Sequence, residues 1–515
     1  MQLSKQQLDI LQVCRHEKCH LIIKALAGTG KTTTILEALK VLPRGLKVAF
    51  VCFNRTIAQE LQARVPRGVL AATLHSLGGQ AVCRHTKKTF RELLDKDKVP
   101  KMLPPLASPL VRGATLKLVS LCKNTLTEPT NENLVALAAD FSIELEDSTK
   151  AICNLVRMCL DKSKADLNSM DFDDMLYLPV VLGMVVEKFD VLFVDELQDL
   201  NAVQQQLILM AGDRIVGVGD EHQAIYRFRG ADAHSMENME RLLRETGRET
   251  KVLPLTVTRR CPPAVVELAQ SIVPEFECVP ELWQSWLVWQ QRLEVARNAE
   301  ENREQALVDL LANQPIEFGI VEHASRVEFK RSHMVLCRTN APLVQEAYAL
   351  IAANVPVKIQ GREIGADLAK LIKRLAAPSD SVVELGLRMS EWRAKETTRL
   401  TSDPTKAISN ESKLQVLADK CDCIDALCEG METVQQVLDR IQLIFADVEV
   451  GQDKSKFVLL SSVHRAKGLE AHMVHIIRPD LMPHPMATRD DEIEQEMNLK
   501  YVAYTRAISE LYIHP

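Results

Sequence analysis

Residues 20–34 read HLIIKALAGTGKTTT, and the helical pattern ILEALKVL (35–42) follows directly. The apolar run His20 to Lys24 has the length and composition of a short buried strand. A strand that enters a glycine-bearing turn and leaves as a helix is the repeating unit of a parallel α/β sheet covered on both faces. The turn itself, Ala25-Leu26-Ala27-Gly28-Thr29-Gly30-Lys31-Thr32, carries a chemical reading. Phosphates need backbone N–H donors at close range, and Gly28 and Gly30 let the chain approach without a Cβ clash. Lys31 is placed to reach the outer phosphates of a nucleotide and Thr32 to hold Mg²⁺, with Ala27, Thr29 and Thr33 completing the cradle. Ala25 stands where the generic phosphate loop has its first glycine.

Outward from this stretch the same alternation continues. KVAFVCF (47–53) reads as strand and NRTIAQELQARV (54–65) as helix, and VLFVDE (191–196) and IVGVGD (215–220) read as further strands. Between 76 and 170 strand signals give way to helical periodicity. A second α/β unit is expected to open near residue 254 with LPLTV, to continue through MVLCRTN and VPVKIQG, and to resume at FVLLSSVH (457–464). The predicted fold class is therefore α/β, with two parallel-sheet lobes that each carry a mainly helical insertion. Lobe 1 spans 1–75 and 171–253 around an insertion at 76–170; lobe 2 spans 254–364 and 455–515 around a short polar insertion at 365–454.

Asp195-Glu196-Leu197-Gln198-Asp199 ends an apolar strand, where carboxylates face the ligand crevice of such sheets. On its own an acidic strand end is a solvated turn or a helix cap. With a phosphate loop upstream, Asp195 becomes a water-mediated Mg²⁺ ligand and Glu196 a base toward an attacking water. Phosphoryl transfer also needs positive charge where the γ-phosphate charge develops. Arg260 in TRRCPP and Arg506 in YVAYTRA are the candidates, although either could be an ordinary surface arginine.

In this order the motifs resemble those of superfamily 1 helicases of the UvrD/Rep/PcrA group, with wording similar to the F-box DNA helicases and compact bacterial and phage members. The resemblance runs from Gln7 to Arg506 and implies two RecA-like lobes with ATP between them. It implies that Gln7 in LSKQQ reads adenine, that Lys31 and Thr32 form the phosphate-loop pair, and that Asp195, Glu196 and Gln198 form the acidic box. Gln223 in GDEHQAIYRFRGA would sense the γ-phosphate, Arg260 would contact ATP from the second lobe, Gly468 and Glu470 in HRAKGLE would hold the ribose, and Arg506 would be the arginine finger. The chain departs from the family at Arg259, where an aromatic often stacks on adenine; a planar guanidinium can stack instead, which leaves base selectivity open. The insertion at 365–454 is shorter than in large members, and no nuclease domain is expected after Arg506.

The resemblance also supplies a nucleic-acid track. Single strands are gripped by stacking and phosphate contacts. Phe53-Asn54-Arg55 resembles the first DNA-contact motif, Thr73-Leu74-His75-Ser76 the second, and Tyr226 and Phe228 the stacking aromatics. Arg338 and Asn340 in LCRTN, with His464, are expected on the track of the second lobe. The bland alternatives are two core aromatics for Tyr226 and Phe228 and a helix cap for TLHS. Asp171-Phe172-Asp173-Asp174 is expected to cap a helix and return the chain to the first lobe, rather than to bind metal.

Composition neither supports nor opposes this reading. Formal net charge is −6, from 63 basic and 69 acidic residues, which argues against a uniformly basic surface but not against a basic groove. Thirteen cysteines without framework spacing point to a reducing compartment. With no signal-peptide pattern and no span-length apolar run, the expectation is a cytoplasmic protein, nucleoid-associated if bacterial or acting in a host if phage-encoded, with no membrane association. The expected activity is an ATP- and Mg²⁺-dependent translocase and helicase on single-stranded DNA and duplex junctions, moving 3′-to-5′. The alternatives are a remodeller that strips proteins from nucleic acid and an RNA helicase, since RNA offers the same stacking and phosphate contacts.

Overall fold

The computed structural model describes residues 3–515 except 53–54, 142, 146–147, 226–233, 299–302, 325–327, 354, 402–406, 447–452 and 486. The chain divides into two compact units, Met1–Thr256 and Val257–Pro515. Among the described residues no helix is long and apolar enough to cross a membrane.

The first unit is built on six parallel strands: β1 (His20–Ala25), β2 (Val48–Cys52), β3 (Val69–Thr73), β4 (Phe189–Val194), β5 (Gly212–Gly219) and β6 (Thr250–Leu255). Their order across the sheet is β3-β2-β4-β5-β1-β6. Successive side chains on a strand point to opposite faces, so each strand feeds two cores. Leu21, Ile23, Phe50 and Phe193 pack in one apolar cluster, whereas Ile22, Ala49, Val51, Leu192 and Val194 pack in the other. This two-sided burial explains why the strands read as continuous apolar runs rather than alternating ones.

β6 corrects the sequence reading. LPLTV was expected to open the second lobe, but Thr250–Leu255 pairs in register with His20–Ala25 and closes the first sheet. Local pattern shows that a strand exists and not which sheet it joins; here parallel pairing with β1 decides. The stretch 76–170 carries the helices Phe90–Leu93, Lys98–Met102, Pro109–Thr125, Asn131–Asp140 and Thr149–Ala165. It builds its own core around Leu118, Val119, Leu134, Ile152 and Val156.

The second unit carries seven parallel strands: β7 (Ile320–His323), β8 (Met334–Cys337), β9 (Val357–Gln360), β10 (Phe445–Ala446), β11 (Val458–Ser462), β12 (Ala471–Ile477) and β13 (Ala507–His514), in the order β10-β9-β11-β8-β12-β13-β7. The stretch expected as a short helical insertion, 365–454, shares its apolar core with the sheet. Leu368, Ile372, Leu385, Ile424, Leu427, Val437 and Ile441 share one core with Val335, Ile359, Val458 and Leu460 of the sheet. The helix Val434–Ile444 lies against β9 and β10, while Val382–Thr401 packs on the helices Arg362–Leu375 and Ala407–Cys428.

Candidate nucleotide and nucleic-acid sites

In an open parallel sheet, ligands gather at the carboxyl ends of the strands. β4, β5 and β1 are neighbours in the first sheet, so their following loops converge. The loop after β1 is the glycine-bearing turn, that after β4 the acidic box, and that after β5 is Asp220–Gln223. Gly28 and Gly30 hold φ of 69° and 86°, a left-handed conformation that glycine adopts without penalty. Gly30 then starts the helix Lys31–Val41, whose first N–H groups have no partner within the helix and favour an anion.

Lys31 folds back over the turn. Its Nζ donates to the carbonyls of Ala25 (2.7 Å) and Leu26 (2.9 Å) and lies 3.4 Å from Asp220 Oδ2. Asp220 is only 1% exposed, and its Oδ2 also accepts from Gln223 Nε2 at 2.6 Å. Its backbone N–H donates to Gln198 Oε1 at 2.9 Å, and Gln198 Nε2 donates in turn to Glu196. Lys31, Asp220, Gln223, Gln198 and Glu196 thus form one connected polar set. Glu196 sits at φ 56°, ψ 47°, a region costly for a side chain with a Cβ, and its backbone N–H donates to Asp195 Oδ1 at 3.0 Å.

The donor set fits a nucleoside triphosphate with magnesium. An ammonium held only by carbonyls and one carboxylate can exchange them for phosphate oxygens. The Thr32 hydroxyl and Asp195 carboxylate are the hard oxygen donors that magnesium prefers. Ala27 and Thr29 are buried in the turn, with Thr29 Oγ1 donating to the Leu26 carbonyl at 2.9 Å; Thr33 is half-buried in the first turn of the helix.

Sequence reasoning missed Asp220. Its signal was the rule applied to Asp195: a carboxylate closing the apolar strand IVGVGD at its carboxyl end.

Gln7 lies behind the turn and is fully buried. Its Oε1 accepts from the Ser4 backbone N–H (2.9 Å) in a capping box, and its Nε2 donates to Thr34 Oγ1 (2.9 Å). Its neighbour Gln6, which the sequence reading did not single out, bonds Thr256 twice, through Nε2 to Oγ1 (2.7 Å) and through Oε1 from the backbone N–H (3.0 Å).

In the second unit four candidates meet. Arg260 Nε lies 2.6 Å from Glu470 Oε2, and Arg260 donates from Nη1 to the Thr505 carbonyl at 3.3 Å. Arg506 is 1% exposed; Nε donates to the Val502 carbonyl (2.9 Å), Nη1 to the Leu469 carbonyl (3.1 Å) and Nη2 to Thr505 Oγ1 (3.2 Å). A guanidinium so fully engaged with backbone must exchange partners before it can touch a phosphate. Burial pushes the intervening Cys261 thiol up to about 11, opposed by the charges of Arg260 and Arg506. Gly468 holds φ 83° in the exposed turn before Glu470. Glu470 and Arg506 directly precede β12 and β13, so both stand at the amino ends of paired strands.

The track candidates separate from these. Arg338 follows β8 and His464 follows β11, the carboxyl ends of two paired strands and hence the opposite edge of that sheet. Arg338 is already committed: its Nε donates to both oxygens of Glu496 at 3.0 Å, and Nη2 to Oε1 at 2.7 Å. Asn340 is held by Asp419, through its backbone N–H at 3.0 Å and Nδ2 at 3.1 Å.

In the first unit, Thr73 closes β3 and caps the helix Leu74–Thr86, its Oγ1 accepting from the Ser76 backbone N–H at 3.1 Å. His75 lies half-buried in the first turn of that helix. Burial lowers its pKa, and the Asp173 carboxylate opposes the shift. Phe53, Asn54, Tyr226 and Phe228 lie outside the described residues, as does the side chain of Arg55. β2 and β3 occupy the side of the sheet away from β1, so the Thr73 and His75 candidates share the sheet's carboxyl edge with the phosphate loop but at its other end.

Asp171–Asp174 is a structural cluster. Asp174 is buried between Lys98 (2.7 Å) and Lys123 (2.8 Å), and Lys123 also pairs with Asp171 at 2.7 Å. The Lys123 ammonium is held above the ordinary lysine range, with burial opposing and the two carboxylates prevailing. The return to the first lobe expected from the sequence is thus built on buried ion pairs.

Comparison with known proteins agrees with this geometry. Residues 3–244 match the model of the UvrD/REP helicase N-terminal domain, and residues 366–514 that of the UvrD-like helicase C-terminal domain. The chain is 26% identical over 605 aligned residues to the ATP-dependent DNA helicase Rep of Escherichia coli, covering 95% of this chain and 88% of that protein. It is 24% identical to F-box DNA helicase protein 1 of Schizosaccharomyces pombe, across 96% of this chain and 55% of that one. It is 22% identical to the ATP-dependent DNA helicase PcrA of Leuconostoc citreum, across 96% and 79%. Taken together, the two domain matches and the relatives that span nearly the whole chain show that this protein belongs to the UvrD/Rep-like helicase family.

Proposed function

We propose that the protein is an ATP-dependent DNA helicase that moves along single-stranded DNA in the 3′-to-5′ direction. The observation that carries the reading is the connected set Lys31, Asp220, Gln223, Gln198 and Glu196 at the carboxyl ends of β1, β5 and β4. Lys31 exchanges its carbonyl partners for phosphate oxygens and frees Asp220. Because Asp220 also holds Gln223 and, through its N–H, Gln198, the exchange is felt at Glu196. Glu196, oriented by the Gln198 amide, takes the proton of the attacking water. Magnesium, held by Thr32 and Asp195, would supply charge neutralisation on the phosphates. The family resemblance assigns to Arg260 and Arg506 the positive charge that phosphoryl transfer requires. The direction of movement rests on the family resemblance.

The experiment compares ATP hydrolysis by wild type and Glu196→Gln without polynucleotide, with single-stranded DNA and with RNA, beside strand displacement on 3′-tailed and 5′-tailed duplexes. Expected are stimulation by DNA, unwinding of the 3′-tailed duplex, and loss of about 100-fold or more in turnover for Glu196→Gln with nucleotide binding kept. Full turnover in that variant removes the base assignment. Stimulation by RNA alone, or unwinding confined to 5′ tails, overturns the substrate or the direction.

A further inference from the structure

Three segments of the first unit meet at one side chain that no motif includes. Asn124 lies in the helix Pro109–Thr125 of the helical insertion. Its Oδ1 accepts from Asn201 Nδ2 at 2.8 Å. Its Nδ2 donates to the Ser120 carbonyl at 2.8 Å and to Asp173 Oδ1 at 3.2 Å, while the Ser120 hydroxyl donates to Asp173 Oδ2 at 2.6 Å.

Each end of this relay is fixed to a segment that carries candidate site residues. Asn201 follows the acidic box by two residues and caps the helix Ala202–Ala211; its Oδ1 is used by the Gln204 backbone N–H at 3.0 Å, so its Nδ2 is the group left to reach Asn124. Asp173 directly precedes the helix Asp174–Val181, which packs on the helix Leu74–Thr86. The two helices touch so closely that a Cβ on Gly78 would lie 2.1 Å from the Met175 carbonyl oxygen. Packing at that distance transmits strain from one helix to the other. His75 sits in the first turn of that pair and feels the Asp173 carboxylate.

We propose that Asn124 is a positioning residue that couples the acidic box to the strand-contact helix Leu74–Thr86 through Asn201 and Asp173. The inference rests on the helicase reading above. A displacement of the box during the nucleotide cycle pulls Asn201, and the Asn124 amide hands that displacement to Asp173 and the paired helices. Asn124 is half-buried and is none of the nucleotide- or strand-contact candidates, so its loss removes no assigned catalytic group.

The test measures ATP hydrolysis by the full chain with and without saturating oligo(dT), oligo(dT) affinity by fluorescence anisotropy, and melting temperature, for wild type, Asn124→Leu, Asn124→Ala and Asp173→Asn. For both Asn124 variants the expected result is basal hydrolysis within about twofold of wild type, oligo(dT) affinity within about threefold, and DNA stimulation reduced about tenfold, the size of an ordinary coupling between sites. Asp173→Asn keeps a carbonyl oxygen for the Asn124 amide and is expected to retain most of the stimulation, a rescue that a generic packing defect would not show. Stimulation at the wild-type level in either Asn124 variant overturns the proposal, as does a parallel fall of basal and stimulated rates. If wild type itself ignores oligo(dT), the helicase reading fails first and the relay with it.

Discussion

Acid should loosen the second unit through one buried imidazole. His475, on β12, is fully buried; one ring nitrogen lies 2.9 Å from His333 Nδ1 and the other 3.1 Å from His514 Nε2. His333 Nδ1 also accepts the Lys330 backbone N–H at 3.2 Å, so it is an acceptor. His475 therefore donates from Nε2 to His333, and as a neutral ring it accepts at Nδ1 from His514. Phe329 and Tyr512 pack against His475, and Glu510 bonds the Tyr512 hydroxyl at 2.6 Å. Burial, joined by His333 and His514, pushes the His475 pKa from 6.5 down to about 3.

The sign follows from proton binding. Below about pH 6.5 the unfolded chain takes up a proton at this position and the folded one does not, so stability falls as pH drops toward about 3 and is unaffected above about 6.5. Each pH unit in that window is worth about 1.4 kcal/mol, so His475 alone removes about 2 kcal/mol between pH 6.5 and 5. Against a domain stability of about 5–15 kcal/mol this is measurable. All four tryptophans, Trp283, Trp286, Trp289 and Trp392, lie in this unit, so urea unfolding followed by tryptophan fluorescence reports on it. His475→Gln keeps a donor and an acceptor but cannot titrate. Its loss of stability from about pH 7 to about pH 5 is expected to be smaller than that of wild type by about 2 kcal/mol. Equal slopes would refute the reasoning.

Other perturbations test the first unit. Lys123→Met removes the lysine partner of Asp171 and leaves Asp174 with Lys98 alone, and is expected to cost about 3–5 kcal/mol, read as a drop in the unfolding midpoint; a neutral effect would show that the cluster tolerates the lost ammonium. Gly78→Ala forces the helix Asp174–Val181 away and is expected to cost about 1–3 kcal/mol, whereas an unchanged melting temperature would deny the tight contact. Gln198→Ala removes the amide that orients Glu196 and the partner of the Asp220 N–H; hydrolysis is expected to fall about tenfold or more while nucleotide affinity changes little. A loss of affinity with unchanged turnover would place Gln198 in binding instead.

Much of this was legible because its signals are local. A strand entering Gly28 and Gly30, and an acidic pair closing β4, are contiguous patterns whose physical meaning does not depend on the rest of the chain. What was not legible depends on distant partners. LPLTV reads as a strand but gives no sign that it pairs with β1. The polar periodicity of 365–454 showed helices but not what they pack on, because their apolar faces, Leu385 and Val437 among them, reveal their partner only when the rest of the core is present. Arg338 looked available for a strand, but Glu496, more than 150 residues later, holds it. Asp220 was within reach of the rule applied to Asp195 and was passed over, and Asn124 carries no motif at all.

The central claim is that nucleotide turnover at Lys31 and Glu196 is coupled to a bound strand. The most direct measurement is steady-state ATP hydrolysis by wild type and Lys31→Ala, each with and without saturating single-stranded DNA. The account predicts strong DNA stimulation of wild type and near-background hydrolysis by Lys31→Ala under both conditions. Wild-type hydrolysis indifferent to DNA, or DNA-stimulated hydrolysis surviving without the Lys31 ammonium, would contradict it.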